Sequence, residues 1–100
     1  MLDARDATPV TAIALANDHF ACGALLEARE RGVEVPRQLA IMGFGDFEIG
    51  RQLRPALSTI RPPRYEIGRR AAALLLAALE HGAPLTAQAL PWELLPRGST

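Results

Sequence analysis

The first third of the chain pairs a short apolar run with a segment of helical periodicity. Thr11 to Ala16 (TAIALA) is an apolar run of strand length that ends at Asn17-Asp18, and apolar positions then recur at helical spacing from His19 to Arg31. We expect Asp18 to cap the start of this helix and Gly32 to supply the left-handed residue after its end. The pattern predicts a strand, a tight turn and a helix.

A second apolar run, Leu39 to Gly43 (LAIMG), follows the extended pair Val35-Pro36 and leads into the glycine-bearing loop Phe44-Gly45-Asp46. Two strands joined by a helix of this length form a right-handed βαβ unit with parallel strands. Phe47 to Leu53 predicts one or two helical turns, and Leu57 to Ile60 predicts a third short strand. The predicted fold class is α/β, with a short parallel sheet and flanking helices.

One long helix dominates the second half of the chain. Arg61-Pro62-Pro63-Arg64 is a stiff extended linker, because each proline fixes its φ angle, and it is the candidate hinge. Tyr65 to His81 consists mainly of residues with high helix propensity and closes at Gly82. Within it, Ala71 to Leu79 is apolar all round, which predicts a helix that is central or shared with a partner. Gln88 to Leu95 predicts one or two strands.

Composition places the chain among globular sequences. Of its 100 residues 49% are apolar, and the eleven basic and eleven acidic residues are interspersed and give a net charge of +0. The basic field that binding to the DNA backbone requires is missing, so this segment alone is not expected to hold DNA. At this length we expect one domain at most, or a piece of a larger one.

The cysteine and histidine content excludes several chemistries. Cys22 has no second cysteine for an internal disulfide, and His19 and His81 have no neighbour at metal-ligand spacing, so neither a metal site nor a cofactor is expected. The apolar run Ala71 to Leu79 is too short to cross a bilayer, and the N-terminal residues do not resemble a secretory signal. A reducing cytoplasm fits these features.

Two turns at strand ends are the candidate binding positions. Asn17 and Asp18 can exchange hydrogen bonds with sugar hydroxyls at the end of a parallel strand, where open α/β sheets bind ligands; the alternative is a turn residue and a helix cap. Gly43 to Asp46 is either a ligand-closing loop or a plain turn, since Glu48 stands where a dinucleotide fingerprint needs its third glycine. Ser58, like the other hydroxyl residues, lacks a nucleophile elbow, so no enzyme is expected.

The first helix carries two apolar stripes. Cys22 and Leu26 form one stripe at i,i+4 spacing, and the other consists of Phe20, Ala21, Ala24, Leu25 and Ala28. A helix with two apolar sides must bury both. Its second side is covered either by another element of the chain or by a second subunit.

Five short patterns stand in order along residues 11–100. They are A-N-D-x-x-A-x-G-A-L (16–25), R-G-V-x-V-P (31–36), A-I-M-G-F (40–44), P-A-L-S-T-I (55–60) and P-R-G-S-T (96–100). Each is weakly specific alone, but together the chain resembles the lactose-repressor/galactose-repressor family of bacterial regulators. The resemblance implies part of a periplasmic-binding-protein-like (type I) fold, whose two lobes hold a small effector behind a helix-turn-helix headpiece.

The resemblance also implies effector contacts. Asn17 matches the asparagine that touches the effector in the family, and Asp18 matches its neighbour at the head of the helix. Phe44-Gly45-Asp46 matches the family's ligand loop, although that loop usually has aspartate at the position of Gly45. Recognition of a neutral sugar through that aspartate is therefore not expected here.

A positively charged residue matches the opposite side of the family's cleft. Arg64 falls where the family points a side chain into the cleft, with Ile67 one turn further along the helix, and an arginine suits a carboxylate. The run G-F-G-D-F-x-I (43–49) is similar to the gluconate-repressor branch. The resemblance therefore implies gluconate or a related sugar acid as the effector.

The resemblance implies partners as well. Matching positions place Cys22, Leu26 and Leu53 at a homodimer contact, so we expect them on a common exposed or partner-facing surface. DNA would be bound only through a headpiece that is absent from this chain. A periplasmic solute-binding protein shares the fold and is the alternative, but the ending P-R-G-S-T favours the repressor.

The resemblance sets the expected organisation of the chain. We expect residues 1–10 to be a disordered or non-native leader, 11–61 a partial C-terminal lobe, 64–90 a helix and connector of the other lobe, and 91–100 a closing strand. The chain would then be a fragment without the headpiece and the first half of the core. A face of the long helix, including some of Leu74, Leu75, Leu76 and Leu79, should be uncovered or covered only by another chain.

Overall fold

The computed structural model describes residues 9–100, so the expected leader at 1–10 lies almost wholly outside the described residues. Along the described chain the elements are β1 (Ala12–Ala14), α1 (Asp18–Glu30), β2 (Ala40–Met42), α2 (Glu48–Gln52), β3 (Thr59–Arg61), α3 (Arg64–His81) and β4 (Glu93–Leu95). The predicted strands and helices are present with slightly shifted ends. The segment expected to supply one or two strands supplies β4.

The strands of the βαβ unit are parallel. Ala12 in β1 lies opposite Ala40 in β2, and Ala14 lies opposite Met42. A parallel bridge also joins Met42 to Ser58, the residue before β3. β1, β2 and the start of β3 therefore run side by side in one direction, and β3 pairs with β4 in a second two-stranded sheet. The α/β prediction with a short parallel sheet is confirmed.

The described residues form two compact units. The first unit comprises 9–61 and Leu94–Thr100, and the second unit comprises Pro62–Glu93. The chain passes from the first unit to the second inside the proline linker that the sequence predicts as a hinge. Movement about this linker and the lobe boundaries at 11–61, 64–90 and 91–100 stay predictions.

The core of the first unit is built on α1. Its buried apolar side chains are Ala21, Cys22, Leu25, Ala28, Ile41 and Leu57. Cys22 comes from one apolar stripe of α1. The other buried apolar residues of this helix, Ala21, Leu25 and Ala28, come from the second stripe. Both stripes therefore contribute to this chain's own core.

The exposed or partner-facing position expected for Cys22 is wrong. Cys22 keeps only 6% of its surface exposed, and Leu53 packs partly buried against the same core. The physical reason is that α1 packs against both β2 and α2, so Cys22 is enclosed in the chain's own core. Leu26 is 53% exposed and is the part of the expected surface that the structure leaves open.

The start of α1 differs from the prediction in one residue. The side-chain oxygen of Asn17, and not that of Asp18, caps the helix by accepting a hydrogen bond from the Phe20 backbone N–H at 3.0 Å. Asp18 is the first helical residue, and its carboxylate bonds elsewhere. At the other end Gly32 has φ +70°, which confirms the predicted left-handed residue.

α3 ends at Gly82 in the left-handed conformation, as predicted, and none of its residues is buried within the described chain. Leu75, Leu76 and Leu79 are 52%, 53% and 73% exposed. The prediction of an uncovered apolar face on this helix is confirmed for the described residues. Among those residues, no helix combines the length and apolar character needed to span a membrane.

The C-terminal residues are fixed to the parallel sheet by two serines. The Ile41 backbone N–H donates to the Ser99 carbonyl at 2.9 Å, and the Ser99 hydroxyl donates back to the Ile41 carbonyl. The same hydroxyl accepts the Ser58 backbone N–H at 2.8 Å, while the Ser58 hydroxyl accepts the Arg97 backbone N–H at 2.7 Å. This tail therefore joins β2 to the residues that precede β3.

Candidate functional site

The candidate site is the edge where the parallel strands end. Because β1, β2 and β3 run in one direction, their C-terminal ends meet at the same edge of the sheet. Asn17 follows β1, the loop Gly43 to Asp46 follows β2, and Arg61 ends β3. Such edges are where open α/β sheets bind ligands.

Asp18 follows β1, connects the loop after β2 to the first residue of β3, and is fully buried. One carboxylate oxygen accepts the hydroxyl hydrogen of Thr59 at 2.7 Å, and the other accepts the Phe47 backbone N–H at 2.7 Å. The Asp18 backbone N–H donates to the Phe44 carbonyl at 3.0 Å. With both oxygens engaged inside the chain, this carboxylate organises the edge.

The loop after β2 has a backbone that requires glycine. Gly45 has φ +124°, and a Cβ atom there would lie 2.7 Å from the ring of Phe47. Asp46 has φ +57°, a left-handed value that aspartate tolerates better than most residues. The Gly45 N–H donates to the Ile60 carbonyl at 2.7 Å, and the Asp46 N–H donates to the Thr59 hydroxyl at 3.3 Å. The loop is thereby bonded to β3.

Asp46 is the centre of a charged cluster. Its buried carboxylate accepts hydrogen bonds from Arg51 at 2.9 and 3.2 Å, from Arg61 at 3.2 Å and from Arg97 at 2.8 Å. The bonds from Arg51 lower the pKa of Asp46 to about 2, with help from Arg97 and against the opposing effect of burial. These four residues, the Asp46 cluster, join the loop, α2, β3 and the C-terminal tail.

The lowered pKa of Asp46 predicts acid sensitivity. A carboxylate whose folded pKa lies below its unfolded value of 3.8 stabilises the fold above that value, and the stabilisation is lost as pH falls through about 2. We expect its contribution to be constant above about pH 5 and to fall by about 2 kcal/mol below that. Urea unfolding of the wild type and of Asp46→Asn from pH 7 to pH 2 measures it. The difference between the free energies of unfolding of the two proteins should become smaller as the pH falls. A difference that does not change with pH would contradict the lowered pKa of Asp46.

Beside the arginines of the Asp46 cluster, the edge also presents an amide and aromatic side chains to solvent. Phe44 is 42% exposed, and the rings of His19 and Phe47 lie 4.9 Å apart in a tilted arrangement. Asn17 is partly buried, with its oxygen occupied by the helix cap and its amide donors not bonded to the described residues. An amide donor and aromatic faces at one edge suit a hydroxylated ligand with apolar ring faces.

The structure brings some of the predicted site residues together. Asn17, Asp18 and the loop Phe44-Gly45-Asp46 lie at one edge of the first unit. The carboxylates of Asp18 and Asp46 are buried and bonded within the chain, and contact of these two residues with a ligand stays a prediction. Arg64 and Ile67 belong to the first turns of α3 in the second unit, where their N–H groups donate to the carbonyls of the linker prolines.

Four residues that bond to Asp18 or Asp46 at this edge were not predicted from the sequence: Thr59, Arg51, Arg61 and Arg97. Thr59 bonds to Asp18 from 41 positions away, and Arg97 reaches Asp46 across 51 positions. No local spacing encodes such pairs. The available signal was that Thr59 lies in the pattern P-A-L-S-T-I and Arg97 in the pattern P-R-G-S-T.

The fold and the edge together define a periplasmic-binding-protein-like domain. A family model described as a periplasmic binding protein-like domain matches residues 1–100, so the chain belongs to that family. It corresponds to part of the effector-binding region of LacI-family transcriptional regulators.

Two curated relatives illustrate the match. The HTH-type transcriptional regulator IdnR of Escherichia coli K12 is 45% identical over 82 residues, covering 81% of this chain and 25% of that protein. The HTH-type transcriptional regulator GntR of Pseudomonas aeruginosa is 47% identical over 93 residues, covering 91% and 27%. The chain spans about a quarter of the length of these relatives. Their names favour a regulator over a periplasmic solute-binding protein and over an enzyme.

A solved structure supports the same family. The lac repressor dimer bound to operator and the anti-inducer ONPF is similar with a TM-score of 0.79 and 31% identity, covering 90% of this chain and 32% of that one. Within the described residues, no group of three or more metal-binding side chains is found.

Proposed function

We propose that this chain is the effector-sensing segment of a cytoplasmic transcription repressor that responds to gluconate or a related sugar acid. DNA binding would be carried by a headpiece outside this chain. The proposal of an anionic effector rests on one observation, which is that the carboxylates at the sheet edge are already paired within the chain. Asp18 and Asp46 are both buried and bonded within the chain, and Gly45 stands where the family's loop usually has aspartate. An anionic ligand therefore meets little repulsion from this loop.

The contacts proposed for the effector involve Asn17, the loop after β2 and the start of α3. Asn17 offers its amide donors to hydroxyl or carboxylate oxygens, and Phe44 offers a partly exposed ring. Arg64 supplies the positive charge for the carboxylate, with Ile67 on the same helix face one turn later. The backbone of Gly45 lets the ligand approach closely, since it carries no Cβ.

Loss of Arg64 should weaken an acid effector selectively. In the complete regulator, Arg64→Ala should raise the gluconate Kd roughly ten- to a hundred-fold, because a charge-assisted hydrogen bond contributes about 1.5–3 kcal/mol, and it should change binding of a neutral sugar little. Asn17→Ser keeps a helix-capping oxygen but removes the amide, so it should also weaken the binding of gluconate. Isothermal titration calorimetry measures both.

The matched control is Arg69→Ala, which removes the same charge from an exposed ion pair with Glu66 on the same helix. It should bind gluconate as the wild type does. Equal gluconate affinities for wild type and Arg64→Ala would exclude the arginine from the site. Failure of every sugar acid to bind wild type would reject the effector class.

We also propose that the regulator acts as a homodimer whose contact includes Leu26. Leu26 is half exposed on the outer side of α1, which supports a partner-facing position. Cys22 is withdrawn from this surface because it is buried, and Leu53 contributes at most through its partly exposed edge.

A further inference from the structure

More positive than negative charge is concentrated in the Asp46 cluster. Arg51 and Arg97 alone bring two positive charges to one carboxylate, and Arg61 bonds to the same group. Four hydrogen bonds fill the acceptor capacity of the two Asp46 oxygens. Asp46 therefore accepts no further donor from these arginines, although the negative charge of Glu48 also acts on Arg51.

Donors do remain on both guanidinium groups. Arg51 uses Nε and Nη2 on Asp46, whereas Arg97 uses Nη2 on Asp46 and Nη1 on the Leu57 carbonyl. Nη1 of Arg51 and Nε of Arg97 make no hydrogen bond within the described residues. The Arg51 side chain is 48% exposed, so an incoming group can reach it. Asp46 already holds both guanidinium groups in place, which reduces the ordering cost of binding.

The backbone of the loop is not available for an anion. Its N–H groups are committed, Asp46 to the Thr59 hydroxyl and Phe47 to the Asp18 carboxylate. Recognition would therefore rest on the arginine side chains, whose planar donors suit two oxygens of one group. The location is also that of a ligand site, at the end of β2 and β3.

We propose that the exposed side of the Asp46 cluster, formed by Arg51 and Arg97 with Arg61 beside them, binds an oxyanion: the carboxylate or phosphate group of a small metabolite. The site does not depend on the identity of the effector proposed for Asn17 and Arg64. Its charge is present at any physiological pH, because arginine stays protonated and the pKa of Asp46 is about 2.

The test is titration of the complete protein with inorganic phosphate at constant ionic strength, followed by thermal unfolding. The variants are Arg51→Gln, which leaves Asp46 paired with two arginines, and the control Arg31→Gln, which removes a charge from the exposed Glu27 pair on α1. Wild type and Arg31→Gln should show a saturable rise in Tm. Arg51→Gln should bind phosphate about tenfold more weakly or worse. General stabilisation by excluded phosphate does not saturate and would be equal in all three proteins.

Equal phosphate affinities for Arg51→Gln and Arg31→Gln would overturn the site. If Arg51→Gln does not fold, the wild-type protein decides: its Arg51 Nε–Hε NMR signal must shift and saturate with phosphate, and no shift rejects the proposal. A second titration with gluconate distinguishes the two kinds of oxyanion. If gluconate displaces phosphate, the site is assigned to an organic carboxylate, and if both bind at the same time, it is assigned to a phosphate. Asn17→Ser should leave phosphate binding unchanged, so failure of the effector proposal is distinguishable.

Discussion

Asp46→Asn should lower the free energy of unfolding by about 2 kcal/mol, because the buried carboxylate loses its charge-assisted hydrogen bonds while the partly exposed arginines stay solvated. The Asp46 side chain is fully buried, and its oxygens receive Arg51, Arg61 and Arg97. An amide keeps one acceptor oxygen and turns an N–H₂ group toward guanidinium groups that also donate. Urea unfolding of the complete protein at pH 7 measures the loss.

The control for this substitution is Glu27→Gln, which removes a carboxylate from an ion pair with Arg31 on the exposed side of α1. Exposed i,i+4 pairs contribute little, so its unfolding midpoint should match the wild type. If Asp46→Asn and Glu27→Gln lower the free energy of unfolding equally, the Asp46 cluster does not stabilise the fold. A large loss confined to Asp46→Asn would establish it as the link between the loop, α2 and the tail.

Gly43→Ala should be destabilising by about 3 kcal/mol, since the added methyl group has no space. Its Cβ would lie 2.2 Å from a carboxylate oxygen of Asp18 and 2.9 Å from a methyl carbon of Leu57. Both neighbours are fully buried, and the Asp18 oxygen is the one that accepts the Thr59 hydroxyl. Relief of the clash must therefore break that hydrogen bond or displace the core.

A second glycine provides the matched comparison. Gly23 lies inside α1 with nothing within 4 Å of its would-be Cβ, so Gly23→Ala should stabilise the protein by about 0.5–1 kcal/mol through helix propensity. Opposite signs for the two substitutions, measured by thermal or urea unfolding, are the expected result. A neutral Gly43→Ala would contradict the close approach of Asp18 to the end of β2.

The sequence predicted those features that depend on neighbours in the chain. Apolar runs and helical spacing located β1, α1, β2 and α3, because burial on one face leaves a local periodic trace. Gly32 and Gly82 marked helix ends for the same local reason, since left-handed residues close helices. The all-round apolar run in α3 belongs to a helix with no buried residue among the described ones, in agreement with the predicted uncovered face.

The roles of the two aspartates depended on contacts that sequence spacing does not express. Asp18 looked like a helix cap and Asp46 like a ligand-loop residue, yet each bonds to groups between 5 and 51 positions away. Cys22 looked like an interface residue, but α1 packs against β2 and α2, so Cys22 is enclosed in the chain's own core.

By itself the sequence determined the order of the elements, the parallel βαβ unit, the family and the position of the sheet edge, because these follow from local periodicity, turn residues and recognisable patterns. The tertiary structure decided which side chains at that edge face inward. The parallel strands brought Asp18 to Thr59, and the C-terminal tail brought Arg97 to Asp46. A buried carboxylate must then find hydrogen-bond donors there, whatever their distance along the chain.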